Sequence, residues 1–84
     1  FIHLSTGAQL LRTASRFYAG QAGLLLLAVD EGRLAAELRY EEGEPGELFP
    51  HLYGPLNLDA VVGAHPFPPE RDGTFRMPEE MKRP

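Results

Sequence analysis

Residues 47–54, Glu-Leu-Phe-Pro-His-Leu-Tyr-Gly, put a carboxylate, an imidazole and a phenol into one short stretch, and the opening residues 1–6, Phe-Ile-His-Leu-Ser-Thr, add a second imidazole and two hydroxyls. In an extended backbone alternate side chains share a face. Glu47, Phe49, His51 and Tyr53 then point one way, while Leu48 and Leu52 point the other. Phe1, His3 and Ser5 likewise oppose Ile2 and Leu4. If the two segments lie side by side, His3, Ser5, Glu47, His51 and Tyr53 line a common cleft, with the leucines rooted in the core. That inventory suits general acid–base or ribose-directed chemistry. A carboxylate stabilises positive charge at a sugar carbon, a histidine grips hydroxyls, and Phe49 or Tyr53 stacks on a flat ring. His3, Glu47 and His51 are therefore the catalytic candidates. Ser5, Arg16, Phe49 and Tyr53 are the ligand-binding ones, Arg16 as a local phosphate contact.

Each residue also has an architectural reading. A histidine at a strand edge can be hydrogen-bonded structure, Ser5 and Thr6 can belong to a helix cap, and Tyr53 before Gly54-Pro55 can close a turn. Glu47 beside an acidic loop can be a solvated carboxylate, and Arg12 and Arg16 a solvated helix face. Several sharper chemistries lack their signatures. The Gly-x-Ser-x-Gly elbow of a serine hydrolase is missing. The three histidines show no metal-ligand spacing, and the chain has no cysteine, so no metal site is expected. Gly20-Gln21-Ala22-Gly23 lacks the lysine of a phosphate loop.

The elements that must hold these residues can be read in order. Phe1 to Ser5 alternates as a strand. Thr6 reads as a helix N-cap with Gln9 completing a capping box. Leu10, Leu11, Ala14, Phe17 and Tyr18 form one apolar stripe at helical spacing, with Arg12 and Arg16 opposite, and Gly20 ends the helix. The apolar run Leu24 to Val29 predicts a strand buried on both faces, with a buried helical turn as rival. Asp30-Glu31-Gly32 is a turn. Ala36 to Glu41 alternates, placing Ala36, Leu38 and Tyr40 inward and Glu37, Arg39 and Glu41 outward. Residues 42–46 read as an acidic loop. Pro50 cannot donate to a ladder, which assigns it to an edge or a bulge. A last short strand begins at Asp59 to Val62. The expected class is α+β: one main helix and a small, mostly antiparallel sheet.

The 84 residues allow one domain, expected over residues 1–65, with modest stability. From Pro66 the chain is rich in proline, with few large apolar groups. Residues 66–84 read as a tail, either flexible or lying over the domain. The net charge is −4, and the acidic excess lies before Pro66, where four arginines face eight acids. No basic face is available to displace counterions from a polyanion, so nucleic acid is not an expected partner. No apolar run approaches the ~20 residues of a membrane helix. A cytoplasmic location is the expectation, to which the lack of cysteine adds a little. The chain begins at Phe1 rather than Met and reads as a piece with its N-terminus missing.

Residues 1–6, the Arg16-Phe17-Tyr18 end of the helix, the four-leucine strand and, above all, Glu47-Leu48-Phe49-Pro50-His51-Leu52-Tyr53-Gly54-Pro55-Leu56 resemble DUF952, a small bacterial family of unknown function. The resemblance runs from Phe1 to about Ala64. It implies that a strand and a helix precede Phe1, and that the fold is ADP-ribosyltransferase-like. It would place His3 at a nicotinamide ribose, with Glu47 in the acidic catalytic role and Tyr53 or Tyr18 stacking on a ring. The ligand would then be a small nucleotide-like molecule, with NAD the cofactor or substrate in view and ADP-ribosyl transfer the activity. The alternative is a non-catalytic ligand-binding or protein-interaction module using the same cleft. A third reading is that the motifs are purely architectural.

Overall fold

The alternation and turn chemistry of the sequence produce a small α+β domain with one main helix and antiparallel sheets. A computed structural model describes residues 1–81. In chain order the elements are β1 (Ile2–His3), α1 (Leu10–Tyr18), β2 (Leu25–Val29), β3 (Glu37–Glu44), β4 (Glu47–Tyr53) and β5 (Val61–Pro66). Single 3₁₀ turns occupy Glu31–Arg33, Leu58–Ala60 and Glu79–Met81.

β1, β4 and β3 form a three-stranded antiparallel sheet in that order, and β2 pairs antiparallel with β5 in a second sheet. The stretch expected as an acidic loop is mostly ladder. β3 continues to Glu44, and the chain reverses at Pro45-Gly46, where Gly46 takes φ +78° and donates its N–H to the Glu42 carboxylate. The register shifts between Glu42 and Glu44, leaving Gly43 unpaired at a bulge. A Cβ there would lie 2.6 Å from Cδ1 of Phe49, so the ring of Phe49 needs a glycine beneath it.

Pro50 departs from expectation. It lies in the central strand, not at an edge. Its carbonyl accepts from Leu4 N–H at 2.9 Å, on the β1 side. In an antiparallel strand a residue's N–H and C=O point the same way, so the missing donor also faces β1. That strand is two residues long, and the longer ladder with β3 is unharmed.

The Gln9 half of the capping box forms: Gln9 Oε1 accepts from Thr6 N–H at 3.1 Å. The helix itself starts only at Leu10, after a turn, and ends before Gly20 at φ +74°. Its apolar stripe is only partly covered. Ala14 is buried and packs with Phe67 and Phe75, flanked by Leu10, Leu11, Leu24 and Leu26, whereas Phe17 and Tyr18 are exposed. β2 also differs from expectation. Its burial alternates, with Leu25 and Leu27 exposed, because the two-stranded sheet has cover on one face only. Helix α1, β2 and the hairpin line a broad open cleft of about 1280 Å³.

After Pro66, the stretch from Phe67 to Phe75 contacts the rest of the domain. Phe67 N–H donates to Leu24 O at 3.0 Å, and Gly20 N–H to Gly73 O at 2.9 Å. Phe67 and Phe75 stack with ring centroids 4.7 Å apart. The final residues 82–84 of the expected tail lie outside the described residues. No helix among the described residues is long and apolar enough to cross a membrane.

Candidate functional site

β1 and β4 place His3 opposite His51, and β3 places Arg39 opposite His51 from the other side. Cross-strand partners on one face of a sheet sit within reach of each other. The rings of His3 and His51 therefore meet edge-on, 5.2 Å between centroids. Phe1 stacks on His51 at 4.3 Å and reaches Tyr53 at 5.0 Å. Beneath them, on the opposite face of β4, Leu52 is fully buried between its register partners Ile2 and Leu38. The leucine anchors the strand, and the imidazole is held on it.

His51 is only 4% exposed. Its Nδ1 lies 2.8 Å from Glu41 Oε1, and the Tyr53 hydroxyl donates to the same oxygen at 2.6 Å. A carboxylate can only accept, so the imidazole proton shared with it sits on Nδ1. Nε2 is left as the free nitrogen, and it is buried with no hydrogen-bond partner among the described residues. Buried polar atoms are nearly always paired, so an orphan inside a folded domain calls for an explanation. The Tyr53 hydrogen bond, then that of His51, hold the Glu41 carboxyl below the usual carboxylate range. The same bond to Glu41, with some loss of solvent, pushes the Tyr53 phenol up. Arg39 lays its guanidinium over the Tyr53 ring at 4.4 Å while donating through Nε and Nη2 to the Glu37 carboxylate.

The residues singled out by sequence divide into two groups. His3, His51 and Tyr53 come together in this cluster, and His3, Ser5, Phe49 and His51 all line the broad cleft. Glu47 and Arg16 sit elsewhere. The Glu47 carboxylate pairs with Arg12 and accepts from Gln9, and Arg16 pairs with Glu44, so both fasten α1 to the hairpin. Ser5 directs its hydroxyl toward the Thr6 carbonyl at 3.4 Å. The acid at the imidazole is Glu41, which sequence reasoning placed on a wet outer face. The signal was available: once residues 45–46 are seen as a hairpin turn, the outward row Glu37, Arg39, Glu41 falls on the same face as Phe49, His51 and Tyr53. Among the described residues no group of three or more histidine, cysteine, aspartate or glutamate side chains is arranged to hold a metal ion.

The sequence profile of a family described as "Protein of unknown function (DUF952)" matches residues 1–64. Two solved structures are similar. One is the X-ray crystal structure of protein CC0527 from Caulobacter crescentus, a structural genomics target, at 37% identity and a TM-score of 0.87. The other is a double-methionine variant of the same protein, at 36% identity and a TM-score of 0.87. In each case the match covers 99% of this chain and 73% of the other. The curated proteins contain no match.

Proposed function

The chain belongs to the DUF952 family of proteins of unknown function, and from that starting point we propose that it binds a small nucleotide-like ligand, of the NAD or ADP-ribose class, against the His3–His51 face. The observation that carries the reading is the His51 imidazole: buried, fixed by Glu41 through Nδ1, and left with an unpartnered Nε2. A carboxylate-oriented imidazole with one free nitrogen is the arrangement of a general acid–base group. Flat, exposed rings surround it, and they suit a base or nicotinamide by stacking. The ligand would enter by displacing Phe1, which is 61% exposed and rests on the imidazole. Ser5 and Phe49, on the same cleft, would contact the ligand's sugar and ring. In this reading Glu41 takes the acid's place beside His51, while Glu47 and Arg16 hold the helix at the cleft wall.

The finer proposal is ADP-ribosyl transfer on an ADP-ribosyltransferase-like scaffold. The bond between ribose C1′ and the nicotinamide nitrogen breaks, and nicotinamide leaves with the bonding electrons. A hydroxyl or water oxygen bonds to C1′ and gives its proton to His51 Nε2. Glu41 then stabilises the imidazolium so formed. A specific observation favours a second reading, binding without chemistry: Nε2 is covered as it stands. Titration of NAD and ADP-ribose followed by NMR separates the outcomes. Shifts at His3, His51 and Tyr53 with release of nicotinamide support transfer. Shifts without release, retained in Glu41→Gln, support a ligand-binding module. Resonances unmoved by either ligand at millimolar concentration would rule the nucleotide reading out.

A further inference from the structure

Glu37 and Arg39 are two residues apart on β3, so their side chains share the face of His51 and Tyr53. Arg39 Nε donates to Glu37 Oε2 and Nη2 to Oε1, each at 3.0 Å. This two-pronged grip is the one by which a guanidinium holds a carboxylate or a phosphate. The guanidinium is also stacked on Tyr53, whose hydroxyl is tied to Glu41. Arg39 is thereby held in place before any ligand arrives, and a pre-placed donor loses less freedom on binding. Its partner is less secured. The Glu37 side chain is 61% exposed, and such exposed pairs contribute little net stability. The chain is acidic overall, and this arginine is the permanent positive charge of the cluster around His51, alongside Glu37, Glu41 and the two histidines.

We infer that Arg39, stacked on Tyr53, is an anion-binding subsite for a diphosphate-bearing ligand, and that Glu37 occupies it internally as a displaceable stand-in. Two phosphate oxygens replace the two carboxylate oxygens of Glu37 on Nε and Nη2. The ligand's ring end then runs along Tyr53 toward His51. This deepens the nucleotide reading above and rests on it only for the ring end. The phosphate end stands on the geometry of Arg39 alone.

The experiment is a titration of the full chain with inorganic pyrophosphate, malonate, ADP-ribose and adenosine, followed by the Arg39 Nε–H and Tyr53 ring resonances. The same titrations are run on Glu37→Gln and Arg39→Lys. Both side chains are exposed, and the dispersion of the amide spectrum verifies that each variant folds. Pyrophosphate and ADP-ribose are expected to move both resonances, while adenosine leaves Nε–H in place. Glu37→Gln, which weakens the internal competitor, tightens pyrophosphate about fivefold. Arg39→Lys keeps the charge, removes the fork and weakens binding about tenfold. Unchanged pyrophosphate affinity in Glu37→Gln, a still Nε–H, or a preference for malonate over pyrophosphate each overturns the assignment. ADP-ribose shifts at His51 that are indifferent to Glu37→Gln would leave the nucleotide reading standing and remove this one. Pyrophosphate bound at Arg39 with no ADP-ribose shift at His3 or His51 would do the reverse.

Discussion

His51 is buried with one nitrogen satisfied and the other not, which makes it costly to the fold. An unsatisfied buried polar atom costs about 1–3 kcal/mol. Replacing the ring with one of similar shape and no nitrogen should recover part of that cost. His51→Phe removes the Nε2 cost but also the Nδ1 hydrogen bond to Glu41, and is accordingly expected to change stability by less than about 1 kcal/mol in denaturant unfolding, while the NAD-induced shifts at His3 disappear. A loss of stability above about 2 kcal/mol would mean that Nε2 is not a burden. The Glu41 contact also sets the tautomer. Nitrogen-15 spectra are expected to show neutral His51 protonated at Nδ1, and Glu41→Gln should mix the two tautomers. The pH dependence follows from the direction of the shifts. Glu41 titrates below its unfolded range, so its contribution is complete above that range and is lost as pH falls through the lowered folded value. Glu37 behaves alike, because of Arg39. Tyr53 is raised, so its contribution holds below the unfolded phenol range and is lost as pH rises through the raised value. Thermal unfolding should show an acid limb that Glu41→Gln flattens and an alkaline limb that Tyr53→Phe flattens.

At the scale of elements, the site depends on how a nine-residue helix is fastened to a hairpin. A helix this short is marginal alone, and packing must supply its stability. Gln9 is the buried fastener. Its side chain accepts from Thr6 N–H and donates to Leu48 O at 2.7 Å and to the Glu47 carboxylate at 3.1 Å. Arg12 and Arg16 reach the same hairpin from exposed positions. Truncating Gln9 to alanine should cost about 1–3 kcal/mol, since it removes three hydrogen bonds made by a buried side chain. Arg12→Ala should cost at most about 1 kcal/mol. Parallel chemical denaturation of the two variants checks the order; equal costs would assign the fastening to the ion pairs. The helix and the extended character of residues 47–53 were legible because their patterns are local; the central place of that strand was not. Nor was the hairpin, because Glu42, Gly43 and Glu44 have the composition of a loop, and only their pairing with β4 makes them a strand.

At the scale of the whole molecule, a small apolar core is completed from the far end of the chain. Phe67 and Phe75 close over Ala14, and the loop between them is tied back to Gly20. A domain of this size buries a limited share of its surface, and its total stability is expected near the low end of the usual ~5–15 kcal/mol range. Phe75→Ala removes about 3–5 kcal/mol and is expected to leave the chain largely unfolded at room temperature, as judged by loss of amide dispersion. A folded spectrum would show that residues 67–81 are ornament to the core. Composition hid this role. Counting prolines described the segment's average, whereas two phenylalanines at the right places decided its fate.

Period-2 alternation alone determined which residues of one segment face the same way, His51 with Tyr53 in one and Phe1 with His3 in the other. Those are local properties, imposed by backbone geometry within a few residues. That the two rows meet was decided by the pairing of β1 with β4. The partner acid, Glu41 rather than Glu47, was decided only when β3 paired with β4. So were the placement of Arg39 over Tyr53 and the burial of Nε2. Pairing register is a property of two segments at once, and a one-residue slip would have turned every one of these side chains to the other face.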